Sequence, residues 1–191
     1  MTLFEFLMAI ASVVIAIALT EMFGGWGNLL RTHVRPKVDW LHLGWTILIT
    51  LYAIQYWVGI WPYRDIEFHS VYQVWFLIFP TLFIVLVAFA ITPVVGSDES
   101  PDLREYYMSR RGPIFIGMAI FATMAQIADW VILGIPMSAI GVGFILILLI
   151  PAITQNIWVH AAVFIFNLWY LTATAGLIPA PYRLLFNPIT I

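Results

Sequence analysis

The chain has 191 residues, of which 63% are hydrophobic and 9% charged, with a mean hydropathy of +0.98 and a formal net charge of −2. A soluble domain carries roughly 25% charged residues, so this chain cannot clothe a water-facing surface, and it has no basic field to attract nucleic acid. It contains no cysteine, which excludes a disulfide framework and a thiolate metal site.

A membrane-crossing helix needs about 20 mostly apolar residues, and six segments meet or approach that length. The first covers about 3–23. It lacks a basic n-region and ends in Glu21-Met-Phe-Gly rather than a small-residue cleavage site, so it reads as a retained span. Gly24-Gly25-Trp26-Gly27 lacks the lysine and Ser/Thr of a phosphate loop and reads as a helix end. The second span covers about 40–61 and the third about 71–95, with Pro80 expected to kink it. Residues 100–111 read as a short interfacial helix or a solvated loop. In the helical reading Ser100 is the N-cap, Pro101 the first helical residue and Gly112 the stop. Leu103, Tyr106 and Tyr107 would anchor it in lipid, with Arg104, Arg110 and Arg111 on lipid headgroups. The fourth span covers about 113–133, the short fifth about 137–153 and the sixth about 157–178. Pro151 and Thr154-Gln155-Asn156 separate the last two. Runs such as ILILLIPAI show no apolar/polar alternation, so a β-barrel is excluded. The expected fold is all-α: a single polytopic membrane domain, 1–191, of six transmembrane helices.

Basic residues set the expected orientation. Arg31, Arg35 and Lys37 lie in the first loop and Arg104, Arg110 and Arg111 near the third. Arg64 and Arg183 alone lie on the other side, which places both termini outside. Tryptophan follows the same division: Trp26, Trp40, Trp45 and Trp158 at inner ends, and Trp57, Trp61, Trp75 and Trp130 at outer ends. Trp169 is nearer mid-depth and fits neither belt.

Asp129 is the one charged residue between Gly112 and Leu177. A carboxylate in so long an apolar run is a candidate for proton transfer or cation binding, or it pairs with Arg64 at the outer boundary. Gln126 shares its helical face, Gln55 and Gln73 lie in the same leaflet, and Asn167 is the deepest amide. Such amides commonly join helices by hydrogen bonds. The candidate polar pathway is Asp129, Gln126, Gln55 and Asn167. A second constellation lies at the inner ends, where His42, His160 and Glu21 fall at similar depth. Two histidines suit haem b or a chlorophyll-type pigment, and with the glutamate they suit a metal ion. The other histidines, His33 and His69, are in loops, too few in all for a desaturase-type di-metal site. Gly117, Gly141 and Gly143 suit close helix approach. No nucleophile elbow or zinc-protease helix is present, so an enzyme is not expected.

Phe4-Glu5-Phe6 and the segment DLREYYMSRR (102–111) resemble small uncharacterised bacterial six-helix membrane proteins, over the first four spans. The resemblance implies a bacterial inner (cytoplasmic) membrane and brings no activity and no site residues. The leading functional expectation is a non-enzymatic membrane subunit that packs into a homo-oligomer or a larger membrane complex. The alternatives are a small-ion or solute channel or proton-linked carrier built on Asp129, and a redox or pigment-binding subunit built on His42 and His160.

Overall fold

Six apolar helices are laid out in chain order, with no strand among the described residues, in a computed structural model that describes residues 2–31, 35–94 and 102–174. They are α1 (Leu3–Arg31), α2 (Trp40–Gly59), α3 (Val71–Ile91), α4 (Leu103–Leu133), α5 (Ala139–Ile153) and α6 (Ile157–Thr174), with a 3-10 turn at Trp61–Asp65. α1, α2 with its following turn, α3, α4 and α6 are each long and apolar enough to cross a membrane. α5 has 15 residues. At 1.5 Å per residue it reaches about 22 Å, short of a hydrocarbon core of about 30 Å.

α3 and α4 form the central antiparallel pair. α1 lies against α3, and α5 against α4. α2 and α6 close the ring, with α2 also reaching α3 and α4. Helix approach is set by small residues, as expected where lipid supplies no hydrophobic drive between helices. A Cβ on Gly117 would meet Val87 Cγ2 at 2.6 Å, and one on Gly25 would meet Thr92 Cγ2 at 2.2 Å. A Cβ on Gly143 would meet nothing within 4 Å, so that residue is not a contact.

Several boundaries differ from the sequence expectation. α1 runs unbroken through Gly24-Gly25-Trp26-Gly27 to Arg31, because packing of Gly25 on α3 outweighs the low helix propensity of glycine. The 100–111 segment and the fourth span are one helix of 31 residues, with Pro113 inside it and no stop at Gly112. Side chains bond carbonyls in the turns before that proline. Ser109 Oγ donates to the Tyr106 carbonyl at 2.7 Å, and Arg111 Nη1 to that of Met108 at 2.6 Å. The cap is Asp102, whose carboxylate accepts from the N–H groups of Arg104 (3.1 Å) and Glu105 (3.2 Å). Ser100 and Pro101 lie outside the described residues.

Pro80 is inside α3, as expected. Hydroxyls of Tyr56 and Thr81 bond the carbonyls of Leu77 and Ile78 beside the break. Trp45 is no belt residue. It is buried, edge-on to Phe115 at 4.7 Å and packed on Phe164. The separation of the last two helices falls at Thr154-Gln155-Asn156, with Pro151 inside α5.

Candidate functional site

The end of the bundle where α2, α4 and α6 terminate holds a polar opening. α2 ends at Gly59, and the chain tightens into the 3-10 turn with Pro62 at its start. That turn carries Tyr63 into the protein, where it is buried, and its hydroxyl donates to Asp129 Oδ1. Asp129 sits in the last turn of α4. That turn is fixed by Gly134 in the left-handed region (φ 71°), which closes the helix C-terminus as glycine does without steric cost. The N–H of Gly134 bonds the Trp130 carbonyl at 3.1 Å, and that of Ile135 bonds the Asp129 carbonyl at 3.3 Å. Arg64 does not pair with Asp129. It bonds Asp65 at 3.0 Å and lies 5.2 Å over the Trp61 ring.

Asp129, Gln126 and Gln55 line one cavity of about 260 Å³, together with Tyr52, Tyr56, Tyr63, Phe121, Phe144, Tyr170 and Thr174. Gln126 reaches it because of Gly141 across the helix interface, where a Cβ would lie 2.0 Å from Gln126 Oε1. Gly141, expected to bring backbones together, thus makes room for a polar side chain. Gln55 Nε2 donates to Thr174 Oγ1 at 2.8 Å. Asn167 is buried behind the cavity: it donates to the Val163 carbonyl at 2.9 Å and its Oδ1 accepts from the Tyr52 hydroxyl at 3.2 Å. It ties α2 to α6, as an amide in lipid commonly does. Gln73 is not in this group. It completes a capping box with Ser70 at the start of α3. Three of the four pathway candidates therefore share a cavity, and the fourth supports its wall. The tyrosines were visible in sequence only as aromatic content. The spacing Tyr52, Gln55, Tyr56, on one helical face, is a signal that could have found two of them.

At the opposite end the two basic loops meet. The Leu103 N–H bonds the Lys37 carbonyl at 3.1 Å, and the Lys37 ammonium lies 3.6 Å from Asp102. The N–H groups of Glu105 and Arg104, with that ammonium, hold the Asp102 carboxyl below the usual carboxylate range. Arg104 Nε bonds Asp39 at 2.8 Å, and Asp39 also caps α2 by accepting from the N–H groups of Leu41 and His42. So Arg104, expected on lipid headgroups, clamps a loop, while Arg110 is exposed and Arg111 half-buried. Leu103 and Tyr107 are buried in protein rather than in lipid. Tyr106 donates to the carbonyls of Ala90 and Thr92.

His42 and His160 both have protein partners. A carbonyl can only accept, so His160 Nε2–H donates to Thr154 (3.0 Å), and its Nδ1 is hydrogen-bonded to the Tyr107 hydroxyl at 2.7 Å. Neither nitrogen of His160 keeps a lone pair for iron. His42 Nε2–H donates to the Ile91 carbonyl at 2.8 Å. These residues do not fit bis-histidine ligation of a haem or pigment, and among the described residues no three His, Asp or Glu side chains gather to hold a metal ion, Glu21 included. No protein family matches the chain, nor does any curated protein or solved structure.

Proposed function

We propose that the chain is a six-span membrane protein, with both termini outside, that binds a small solute at the Asp129 cavity near the outer face and carries it in exchange for protons. The observation that supports this is the convergence of Asp129, Gln126 and Gln55, from two helices, on one cavity. An ionisable group in a membrane helix that faces a cavity is the usual mark of a solute or proton path. The direct contact of the two arginine- and lysine-bearing loops at the other end supports a common, cytoplasmic side for them. The resemblance noted above supports a bacterial inner membrane. Proteoliposomes with a trapped pH dye test the reading. Inward gradients of small organic cations should drive proton efflux, and Asp129→Asn should abolish it. No flux in the parent, or unchanged flux in the variant, overturns the proposal.

A second reading is that the chain is a packing subunit of a homo-oligomer or larger complex. Trp158, Ile165 and Trp169 support it: they are exposed along one face of α6, with Trp169 outside either aromatic belt. A lone stable monomer after purification in mild detergent would exclude it.

A further inference from the structure

Building on the reading of the Asp129 cavity as a solute site, we propose that its ligand is a primary organic ammonium ion, an alkyl or arylalkyl chain ending in –NH₃⁺. Three of the four tyrosines that line the cavity point their hydroxyl protons into the protein. The Tyr52 hydroxyl donates to the Asn167 carbonyl and Oδ1, that of Tyr56 to the Leu77 carbonyl, and that of Tyr63 to Asp129. Each of these tyrosines has turned its one proton into the protein.

The orientation of the Gln55 amide follows by the same logic. Thr174 Oγ1 donates to the backbone carbonyls of Tyr170 and Leu171, so toward Gln55 it is an acceptor, and Gln55 must offer it the NH₂ group. The Gln55 Oε1 is then an acceptor, buried and without a partner among the described residues. A buried acceptor left unmade is costly, and a ligand N–H satisfies it. The Asp129 carboxylate adds a negative charge, and among the described residues neither lysine nor arginine lines the cavity. Much of the remaining wall is aromatic, from Tyr52, Tyr56, Phe121, Phe144 and Tyr170. Aromatic rings attract cations and accept an apolar chain. An anion here would face the Asp129 carboxylate with no lysine or arginine among the described lining residues to offset the repulsion. A quaternary ammonium would keep the charge attraction and leave Gln55 Oε1 unmet, so a primary ammonium is favoured. The volume of about 260 Å³ suits a small ligand.

The test is binding of n-butylammonium chloride to the purified full chain in detergent micelles, followed by calorimetry, with butan-1-ol and tetramethylammonium chloride as comparisons. The proposal expects n-butylammonium to bind roughly tenfold or more tightly than butan-1-ol, and Asp129→Asn, which still accepts from Tyr63, to remove that preference. Gln55→Met leaves the Asp129–Tyr63 pair intact. It should weaken n-butylammonium roughly three- to tenfold and leave tetramethylammonium unchanged, a split that general unfolding would not produce. Equal binding of the alcohol and the ammonium overturns the ligand assignment and leaves the cavity as a solute site. Binding of none of the three overturns both.

Discussion

Asp39 offers the sharpest test of how the bundle is held at its basic end. It is 4% exposed, and one carboxylate does three jobs there. Oδ1 accepts from the N–H groups of Leu41 (3.0 Å) and His42 (3.1 Å), and Oδ2 accepts from Arg104 Nε at 2.8 Å. Loss of an N-cap costs about 1 kcal/mol. The Arg104 side chain is 57% exposed, so its ion pair is screened and contributes no more than about 1 kcal/mol. Asp39→Ala should therefore destabilise by about 1–2 kcal/mol, read as a shift in the denaturation midpoint in mixed micelles. Asp39→Asn keeps an acceptor for the cap and loses the charge, so it should cost about half as much. Arg104→Ala in the Asp39→Ala background should add almost nothing, because the partner is already gone. An asparagine variant as damaged as the alanine variant would refute the capping argument. Full additivity with Arg104→Ala would refute the clamp.

Gly141→Ala should cost about 1–3 kcal/mol, because the new methyl needs space held by Gln126 Oε1, and Gln126→Ala should restore most of it in a double-mutant cycle of thermal stability. Tyr107→Phe leaves His160 Nδ1 without its hydroxyl partner and should lower stability by about 1–3 kcal/mol; an unchanged melting midpoint would contradict the assigned bond. Asp102 has its carboxyl pKa lowered in the fold, so its contribution is present at neutral pH and is lost as pH falls below about 4, through the folded value. Asp102→Asn should accordingly flatten the acid limb of a stability–pH profile, and an unaltered limb would count against the cap. The chain has no cysteine, so Arg35→Cys and Arg110→Cys report topology cleanly. Both should react with an impermeant maleimide from the same side of sealed vesicles, and reaction from opposite sides would undo the proposed map.

Helix number and placement were legible because lipid-compatible segments are long and nearly free of charge, and the polar breaks between them are short. Two boundaries were not legible, for related reasons. Gly25 and Gly112 are read locally as helix ends, yet α1 and α4 run through them. Gly25 packs against Thr92, the C-cap of α3, and Gly112 lies inside a helix that carries on through Pro113. Asp129 stood out as a single charge, and its partner was expected among cations. The structure supplies a phenol instead, Tyr63, because Arg64 is drawn to Asp65 and the Trp61 ring. Equal depth of His42 and His160 said nothing about their ring nitrogens, three of which helix ends and Tyr107 engage. Buried tyrosines look like ordinary apolar filling until their hydroxyl partners are known.

The most direct measurement of the central claim is chemical access to the cavity. In the cysteine-free chain, Gln55→Cys places a thiol on its wall in native membranes. The account predicts that an ethylammonium methanethiosulfonate modifies this thiol faster than a neutral methyl analogue does, that n-butylammonium slows the reaction, and that Asp129→Asn removes the cationic advantage. A thiol inert to both reagents, or one that reacts with both alike and without protection, would contradict a carboxylate-centred binding cavity in this protein.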